Sequence, residues 1–222
     1  MAGWPEGSPG DSAVSLFRDQ LELRLRNAGL TGTLQSGEFD RLEQYYQLLS
    51  RWNRRINLTS LSLPDFPAAT LDRLLVEPLV AAGSLEDLPV SWFDLGSGGG
   101  SPAIPLKVVR PASGLTMVES SSRKAAFLRE AVHVVGLPGA LVLDARVEAL
   151  PQRVQAGIVD VVTVRAVKID DDVIAAVTHL LKAGGRLLLF GSDTGPAPSG
   201  FRIAERRQLP GEGDSLSVLE RA

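Results

Sequence analysis

Short apolar runs alternate with stretches of helical periodicity from residue 90 onward, and this alternation constrains the fold more than any other feature of the chain. The apolar runs predict strands at 90–95, 114–119, 140–144, 159–164 and 185–190. The segments between them carry helical patterns, at 102–110, 122–135, 147–155 and 170–182. This order predicts an α/β protein with a doubly wound, Rossmann-like sheet that is mostly parallel and has helices on both faces.

The segments on either side of this alternation follow other patterns. Near the N-terminus, apolar residues recur at three- and four-residue steps and predict helices over 11–29, 38–56 and 67–82. Two amphipathic runs, 201–209 and 215–221, predict a C-terminal antiparallel hairpin at the edge of the sheet. We therefore divide the chain into a disordered Gly/Pro-rich tail (1–10), a helical N-terminal region (11–85) and an α/β domain (86–222).

Composition excludes several kinds of site. The chain has no cysteine, which rules out disulfides, thiolate zinc sites and cysteine nucleophiles. No histidine and carboxylate set has metal-ligand spacing, and the aspartates at 170–172 are interpreted as a helix cap, so we expect no metal. No apolar run approaches the roughly 18 residues of a membrane span, and the first residues lack a signal-peptide pattern. We therefore expect a cytoplasmic protein that does not bind membranes.

A glycine-rich turn follows the first predicted strand, with the sequence Asp94-Leu95-Gly96-Ser97-Gly98-Gly99-Gly100-Ser101. Glycines between a buried strand and a helix let a ligand approach the backbone where a Cβ atom would block it. The spacing resembles the first motif of S-adenosylmethionine-dependent methyltransferases. It fits the dinucleotide-binding fingerprint less well, because the last glycine of that fingerprint would fall on Ser101.

Charged residues end four successive predicted strands, where ligands bind in a doubly wound sheet. They are Asp94, Glu119, Asp144 and Arg165. The two oxygens of Glu119 could accept hydrogen bonds from both ribose hydroxyls of a nucleoside. Two alternatives stay open: charges collect where strands emerge into water, and nicotinamide cofactors also use an acid at the end of the second strand. Asp94 and the glycine spacing favour S-adenosylmethionine over a nicotinamide cofactor.

Further stretches of the chain resemble one family in order and spacing over about residues 40–190. The most specific is Trp52-Asn53-Arg54-Arg55-Ile56-Asn57-Leu58-Thr59, and others are Arg123-Lys124, Arg146-Val147-Glu148 and Arg165-Ala166. The chain thus resembles the bacterial small-subunit (16S) rRNA (guanine-N7) methyltransferases of the GidB/RsmG family. The resemblance makes 86–222 the methyltransferase domain and implies cofactor contacts through Gly96, Ser101, Val147, Glu148 and Arg165.

The chain departs from the family pattern at several polar positions on the presumed substrate side. Leu74 stands where the family has histidine and Glu77 where it has aspartate. Ser101 opens a Ser-Pro-Ala run in place of Phe-Pro-Gly, and Phe190 replaces a common lysine. Two alternatives to the rRNA methyltransferase therefore stay open: a paralogous methyltransferase with another acceptor, and a non-catalytic cofactor-binding module associated with the ribosome.

RNA binding requires a local basic patch, because the net charge of −3 gives no overall attraction to phosphates. We predict contacts to small-subunit rRNA or the small ribosomal subunit through Arg51, Arg54, Arg55, Arg123 and Lys124; the alternative is an ordinary solvated face. Trp52 and Ile56 continue the apolar stripe of their helix and are interpreted as core. No catalytic acid or base is predicted, since guanine N7 is unprotonated before attack.

Overall fold

A computed structural model describes residues 9–85, 90–191, 195–211 and 214–222. Most of the tail predicted at 1–10 lies outside the described residues, and a helix begins at Pro9. Residues 86–89, next to the predicted boundary between the N-terminal region and the α/β domain, are outside them too.

Seven strands form one sheet in the order β3-β2-β1-β4-β5-β7-β6. Their bounds are β1 Ser91–Leu95, β2 Gly114–Glu119, β3 Ala140–Asp144, β4 Val159–Arg165, β5 Leu181–Gly191, β6 Phe201–Gln208 and β7 Ser215–Arg221. β1 to β5 pair in parallel, whereas β7 is antiparallel to both β5 and β6. The predicted doubly wound sheet with an antiparallel C-terminal hairpin is confirmed.

Seven α-helices accompany the sheet in the described part of the chain. They are α1 Pro9–Asn27, α2 Ser36–Asn53, α3 Ala68–Leu71, α4 Glu77–Ala81, α5 Ala103–Val109, α6 Ser122–Val135 and α7 Asp171–Leu180. A π-helical turn, Asp72–Val76, connects α3 to α4, and short 3₁₀ helices form at Ala82–Ser84 and Val147–Gln152. The last of these replaces the regular helix predicted at 147–155, and Pro151 within it cannot donate the backbone hydrogen bond of a longer helix.

The two faces of the sheet carry separate cores, because side chains alternate along each strand. Trp92 and Met117 point to a large core shared with the helices of the N-terminal region and with α5 and α6. Phe93 and Val118 point to a smaller core beneath α7 and the 3₁₀ helix Val147–Gln152. The N-terminal helices therefore cover one face of the sheet and reach the carboxyl ends of its strands.

The end of α2 differs from the sequence prediction. The predicted helix continues to residue 56, but α2 ends at Asn53. The Asn53 side chain accepts hydrogen bonds from the backbone N–H groups of Leu58 and Thr59 and donates to the Thr59 carbonyl, at 2.9–3.0 Å. An asparagine that satisfies nearby backbone groups stabilises a turn in place of further helix. Residues 57–61 therefore leave the helix as an ordered segment.

Candidate functional site

A cleft of about 460 Å³ opens at the carboxyl ends of β1 and β4, and its volume is typical of ligand clefts, which measure roughly 300–1,000 Å³. These strands are neighbours in the sheet, but the helices that follow them lead to opposite sides, which is where doubly wound proteins bind ligands. The lining comes from the glycine turn, from the ends of β2 and β4 and from four other segments. It includes residues 57–61, 73–74 and 96–99, with Ser101, Glu119, Lys124 and Arg165.

The glycine turn forms one wall of the cleft, and two of its glycines have no room for a side chain. Gly96 and Gly100 have φ values of +69° and +88°. A Cβ atom on Gly96 would lie 2.4 Å from a methyl group of Val167, and one on Gly100 would lie 2.5 Å from Ile104 Cδ1. The buried Tyr45 hydroxyl donates to the Gly99 carbonyl at 2.7 Å. The helical pattern of residues 38–56 gave no sign of this bond.

Glu119 joins the end of β2 to this turn. Its carboxylate accepts a hydrogen bond from Gly98 N at 2.9 Å and another from Ser121 N at 2.8 Å. The side chain lines the cleft although it is only 7% exposed. A carboxylate oxygen has more than one lone pair, so both oxygens can also accept hydrogen bonds from a ligand in the cleft.

Asp94 lies beneath the turn and is not among the residues that line the cleft. Its Oδ1 accepts a 2.5 Å hydrogen bond from the Thr163 hydroxyl, which itself accepts one from the Trp92 indole. Its Oδ2 is buried and has no hydrogen-bond partner among the described residues, and burial raises the pKa of this carboxyl to about 6. The backbone carbonyl of Asp94 accepts a bond from the Ser97 hydroxyl. Asp94 thus supports the turn from below and ties β1 to β4.

Val147 and Glu148 begin the 3₁₀ helix after β3, next to the end of β2, and neither lines the cleft. The β2 and β3 ends are joined by a 3.1 Å hydrogen bond from Ala145 N to the Glu119 carbonyl. The Glu148 side chain is exposed, whereas Val147 is half-buried against the smaller core. The structure therefore brings these residues to the same sheet edge as Glu119 but outside the cleft.

Arg165, at the end of β4, forms the wall opposite the glycine turn. Its side chain is 7% exposed and donates to Glu77 Oε2 at 2.7 Å and to the Ser101 hydroxyl at 3.1 Å. The guanidinium carbon lies 4.5 Å from the ring centre of Phe190, within the range of a cation–π contact. Phe190, where the family commonly has lysine, therefore packs against the cation of the cleft.

The irregular helix between α3 and α4 supplies the remaining partners of this wall. The backbone N–H of Glu77 donates to the carbonyl of Asp72, five residues earlier, which is the hydrogen-bond spacing of a π-helix. At the same spacing the carbonyl of Arg73 would accept from residue 78. Residue 78 is a proline and has no N–H group to donate. The Arg73 carbonyl accepts a bond from Arg165 instead. The Leu74 carbonyl accepts the Ser101 hydroxyl at 2.8 Å. A proline inside a helix thus exposes carbonyl groups that hold two residues of the cleft.

Glu77 is wholly buried beneath Arg165. Besides Arg165 it contacts Arg73 at 3.2 Å, and Arg73 in turn pairs with Asp214 at 2.8 Å. Burial raises the pKa of Glu77 to about 7, against the opposing effect of the two arginines, and lowers that of Arg165 to about 10. We name these four residues the Arg165 network. Its members come from three distant parts of the chain, and no sequence pattern indicates that they meet.

A comparison with known proteins decides the family. The family model described as GidB, rRNA small subunit methyltransferase G, matches residues 38–194 of the chain. The chain belongs to this family. A relative from Stenotrophomonas maltophilia, named ribosomal RNA small subunit methyltransferase G, is 37% identical over 192 residues, which cover 83% of this chain and 84% of the relative. One of the same name from Xanthomonas campestris is 35% identical over 199 residues, which cover 83% and 89%.

Solved structures agree on the fold. A S-adenosylmethionine-dependent methyltransferase from Aquifex aeolicus has a TM-score of 0.57 at 13% identity and covers 80% of this chain and 98% of its own. A mutant form of MtNAS in complex with S-adenosylmethionine has the same TM-score at 15% identity and covers 98% and 80%. Membership of the rRNA methyltransferase family, with its fold and its cofactor, S-adenosylmethionine, confirms the class of enzyme that the motifs predicted.

The cleft of this family member fits S-adenosylmethionine. Gly96 has no side chain and lines the cleft with its backbone, and Glu119 presents carboxylate oxygens of the kind that bind ribose hydroxyls. Of the predicted cofactor residues, Gly96, Ser101, Glu119 and Arg165 line one cleft.

The predicted RNA-contacting residues divide between two places. Lys124 lines the cleft, and Arg123 is exposed beside it on α6. Arg51, Arg54 and Arg55 line a second cavity, together with Trp52, Ile56 and Glu130. Trp52 and Ile56 pack against the large core as predicted, but both are half-buried.

Asp170 caps α7 as predicted, because its side chain accepts the N–H of Val173 at 3.2 Å. The described residues contain no cluster of three or more His, Cys, Asp or Glu that could hold a metal. Within the same residues, every helix is too short or too polar to span a membrane.

Proposed function

We propose that this protein transfers a methyl group from S-adenosylmethionine to N7 of a guanine in small-subunit (16S) rRNA. One observation carries the proposal. A single cleft has the glycine turn and Glu119 on one wall and a buried arginine, Arg165, on the other. The first wall suits a nucleoside cofactor, and the second suits an electron-rich acceptor or a phosphate.

We assign the cofactor contacts residue by residue. Glu119 accepts the ribose hydroxyls, and the backbone at Gly96 lets the cofactor lie close to the turn. Ser101 and Arg165 stand between cofactor and acceptor. A further set acts from outside the cleft lining: Asp94 by holding the turn from below, and Val147 with Glu148 by flanking the adenine.

In this reaction the residues of the cleft align the acceptor and do not need to remove a proton from it. Guanine N7 carries an in-plane lone pair and no hydrogen, so attack on a methyl group requires no general base. The bound cofactor supplies that methyl group on a positively charged sulfur. Oriented approach of two reactants contributes roughly 7–11 kcal/mol to lowering a barrier, and a rigid Arg165 is suited to such positioning. We therefore assign no catalytic acid or base.

We assign RNA contacts to the predicted basic residues, namely Arg51, Arg54, Arg55, Arg123 and Lys124. All are on α2, on α6 or in the turn after α2, and Lys124 reaches the cleft itself. Because small-subunit rRNA is the proposed substrate, a cytoplasmic location is part of this proposal.

Methyl incorporation from labelled S-adenosylmethionine tests the proposal. Naked 16S rRNA, isolated small subunits and total RNA are assayed in parallel, and chain cleavage specific for 7-methylguanosine locates the product. We expect incorporation into small-subunit rRNA at a guanine. Glu119→Ala serves as the cofactor-deficient control.

The other outcomes identify the alternatives. Incorporation only into RNA other than 16S rRNA would indicate a paralogous enzyme with another acceptor. Calorimetric binding of S-adenosylhomocysteine without transfer to any RNA would indicate a non-catalytic module. Either result contradicts the proposal.

A further inference from the structure

Three arginines at the end of α2 have no partner within the described part of the chain. Arg51, Arg54 and Arg55 are all exposed, and their guanidinium groups make no hydrogen bond or ion pair with the described residues. Some other exposed arginines are paired, as in Arg202–Glu220 at 2.6 Å and Arg207–Glu205 at 2.6 Å, whereas these three line one cavity together. A group of unpaired guanidinium groups on one helical turn attracts phosphates.

The arginines surround a cavity of about 500 Å³ that has an aromatic wall. The Trp52 indole donates to Glu130 Oε2 at 3.1 Å, and its ring meets Phe127 edge-on at 5.9 Å between centroids. These contacts fix the ring on α6, while its accessible part and Ile56 line the cavity. An oriented indole within a ring of cations has the chemistry of a site that stacks an unpaired base and holds its phosphates.

The cavity and the cleft lie on either side of one short stretch of chain. Residues 51–52 and 54–56 line the cavity, whereas residues 57–61 line the cleft. Asn53 joins the two parts by its hydrogen bonds to Leu58 and Thr59. A single RNA strand could therefore occupy both places, with one nucleotide in the cavity and another at the cleft.

We propose that the cavity at Trp52 is a second nucleotide site, which takes an unpaired nucleotide of the RNA substrate outside the methyl-transfer cleft. The base stacks against Trp52 and Ile56, and its flanking phosphates pair with Arg51, Arg54 and Arg55. This inference rests on the proposed function in that RNA is the substrate. It goes further by assigning to Trp52 a direct contact with a base.

RNA binding to the full chain tests the site by fluorescence anisotropy with a short single-stranded oligouridylate and with the same backbone lacking bases. Arg54→Glu is expected to lower the affinity for both probes at least tenfold. It should also reduce the magnitude of the slope of log affinity against log salt concentration by about one. Trp52→Leu is expected to lower the affinity for the base-bearing probe alone, roughly 5- to 100-fold. The dependence of that affinity on salt concentration should not change. Wild type is expected to prefer the base-bearing probe.

Arg153→Glu is the matched control, because Arg153 is exposed next to the 3₁₀ helix on the other face of the sheet. Binding of S-adenosylhomocysteine, measured by calorimetry, checks that each variant is folded. If Arg54→Glu and Trp52→Leu bind both probes as Arg153→Glu does, the inference is wrong. It is equally wrong if wild type binds the two probes with equal affinity, a result that needs no variant to fold.

The same proteins separate this inference from the proposed function in the methyl-incorporation assay. If the Arg54→Glu and Trp52→Leu variants lose RNA affinity as expected but the wild-type protein methylates no 16S rRNA, the proposed function is contradicted and the second nucleotide site is supported. Wild type that methylates 16S rRNA with variants equal to the Arg153→Glu control contradicts the site and supports the function.

Discussion

The two walls of the cleft are built in different ways. The glycine wall is a continuous stretch, residues 94–100, whose shape comes from backbone conformation and from glycines that leave no room for side chains. The facing wall is a single cation, Arg165, held by Glu77, Ser101 and Phe190 from separate parts of the chain. The first wall therefore depends on local sequence, and the second depends on the completed tertiary structure.

Removal of Glu77 should cause the largest loss of stability, because it takes away the carboxylate that pairs with Arg165 in the second wall. Glu77→Ala leaves Arg165 buried without its nearest carboxylate, which typically costs about 3–5 kcal/mol. Urea unfolding at pH 8 measures the loss. The control is Glu22→Ala, which removes an exposed pair with Arg18 and should cost less than about 1 kcal/mol. Equal losses would mean that Glu77 does not hold the wall.

Removal of Glu119 tests the contribution of the first wall to cofactor binding. Glu119→Ala deletes the proposed acceptors of the ribose hydroxyls and frees the N–H of Gly98. We expect the affinity for S-adenosylhomocysteine to fall about 100-fold, which corresponds to roughly 2.7 kcal/mol. Calorimetry measures it, with Glu22→Ala as a control outside the cleft. An unchanged affinity would remove Glu119 from the cofactor site.

The pH dependence of stability sharpens the comparison, because the pKa of Glu77 is raised to about 7 from an ordinary value of 4.5. The folded state then binds the proton more tightly than the unfolded state, so this contribution to stability falls as pH rises through 7. The difference in unfolding free energy between wild type and Glu77→Gln should decrease by on the order of 2 kcal/mol from pH 5 to pH 8. A difference that increases with pH would show that the arginines keep Glu77 ionised.

Loss of one hydroxyl tests how far the glycine wall depends on α2. Tyr45→Phe removes the bond to the Gly99 carbonyl and should cost about 1 kcal/mol of stability with a small loss of cofactor affinity. Tyr46→Phe is the matched control, since its hydroxyl bonds to the Leu63 carbonyl at the same 2.7 Å. The control should lose stability alone. Equal cofactor affinity in the two variants would mean that Tyr45 does not shape the turn.

The sequence predicted the strands, the glycine turn and Glu119, because each follows from a short-range pattern. Strand bounds such as Gly114–Glu119 agree with the apolar run at 114–119. The end of α2 was missed, because the helical period continues to Ile56 while the Asn53 side chain favours a turn. Periodicity reports which face is buried, and it does not report which side chain satisfies a backbone group.

The Arg165 network could not be predicted from such patterns. In the sequence, Glu77 was visible only as a departure from the family pattern, and so was Phe190, which packs against the network. Both contact Arg165 because of how α4 and β5 pack in the fold. The link from Pro78 to the cleft was equally hidden. A proline limits a helix by a known local rule, but only the fold decides which donors reach the carbonyl groups that it leaves free.

The ordered segment after α2 has a thermodynamic consequence. Residues 57–61 line the cleft and are held by Asn53, whose two neighbours in the sequence, Trp52 and Arg54, line the Trp52 cavity. If a ligand in the cleft favours one arrangement of this segment, it changes the affinity for RNA at the cavity. Binding is reciprocal, so RNA then changes the affinity for the cofactor by the same factor. Asn53 would then carry a coupling free energy between the nucleotide in the cavity and the cofactor in the cleft.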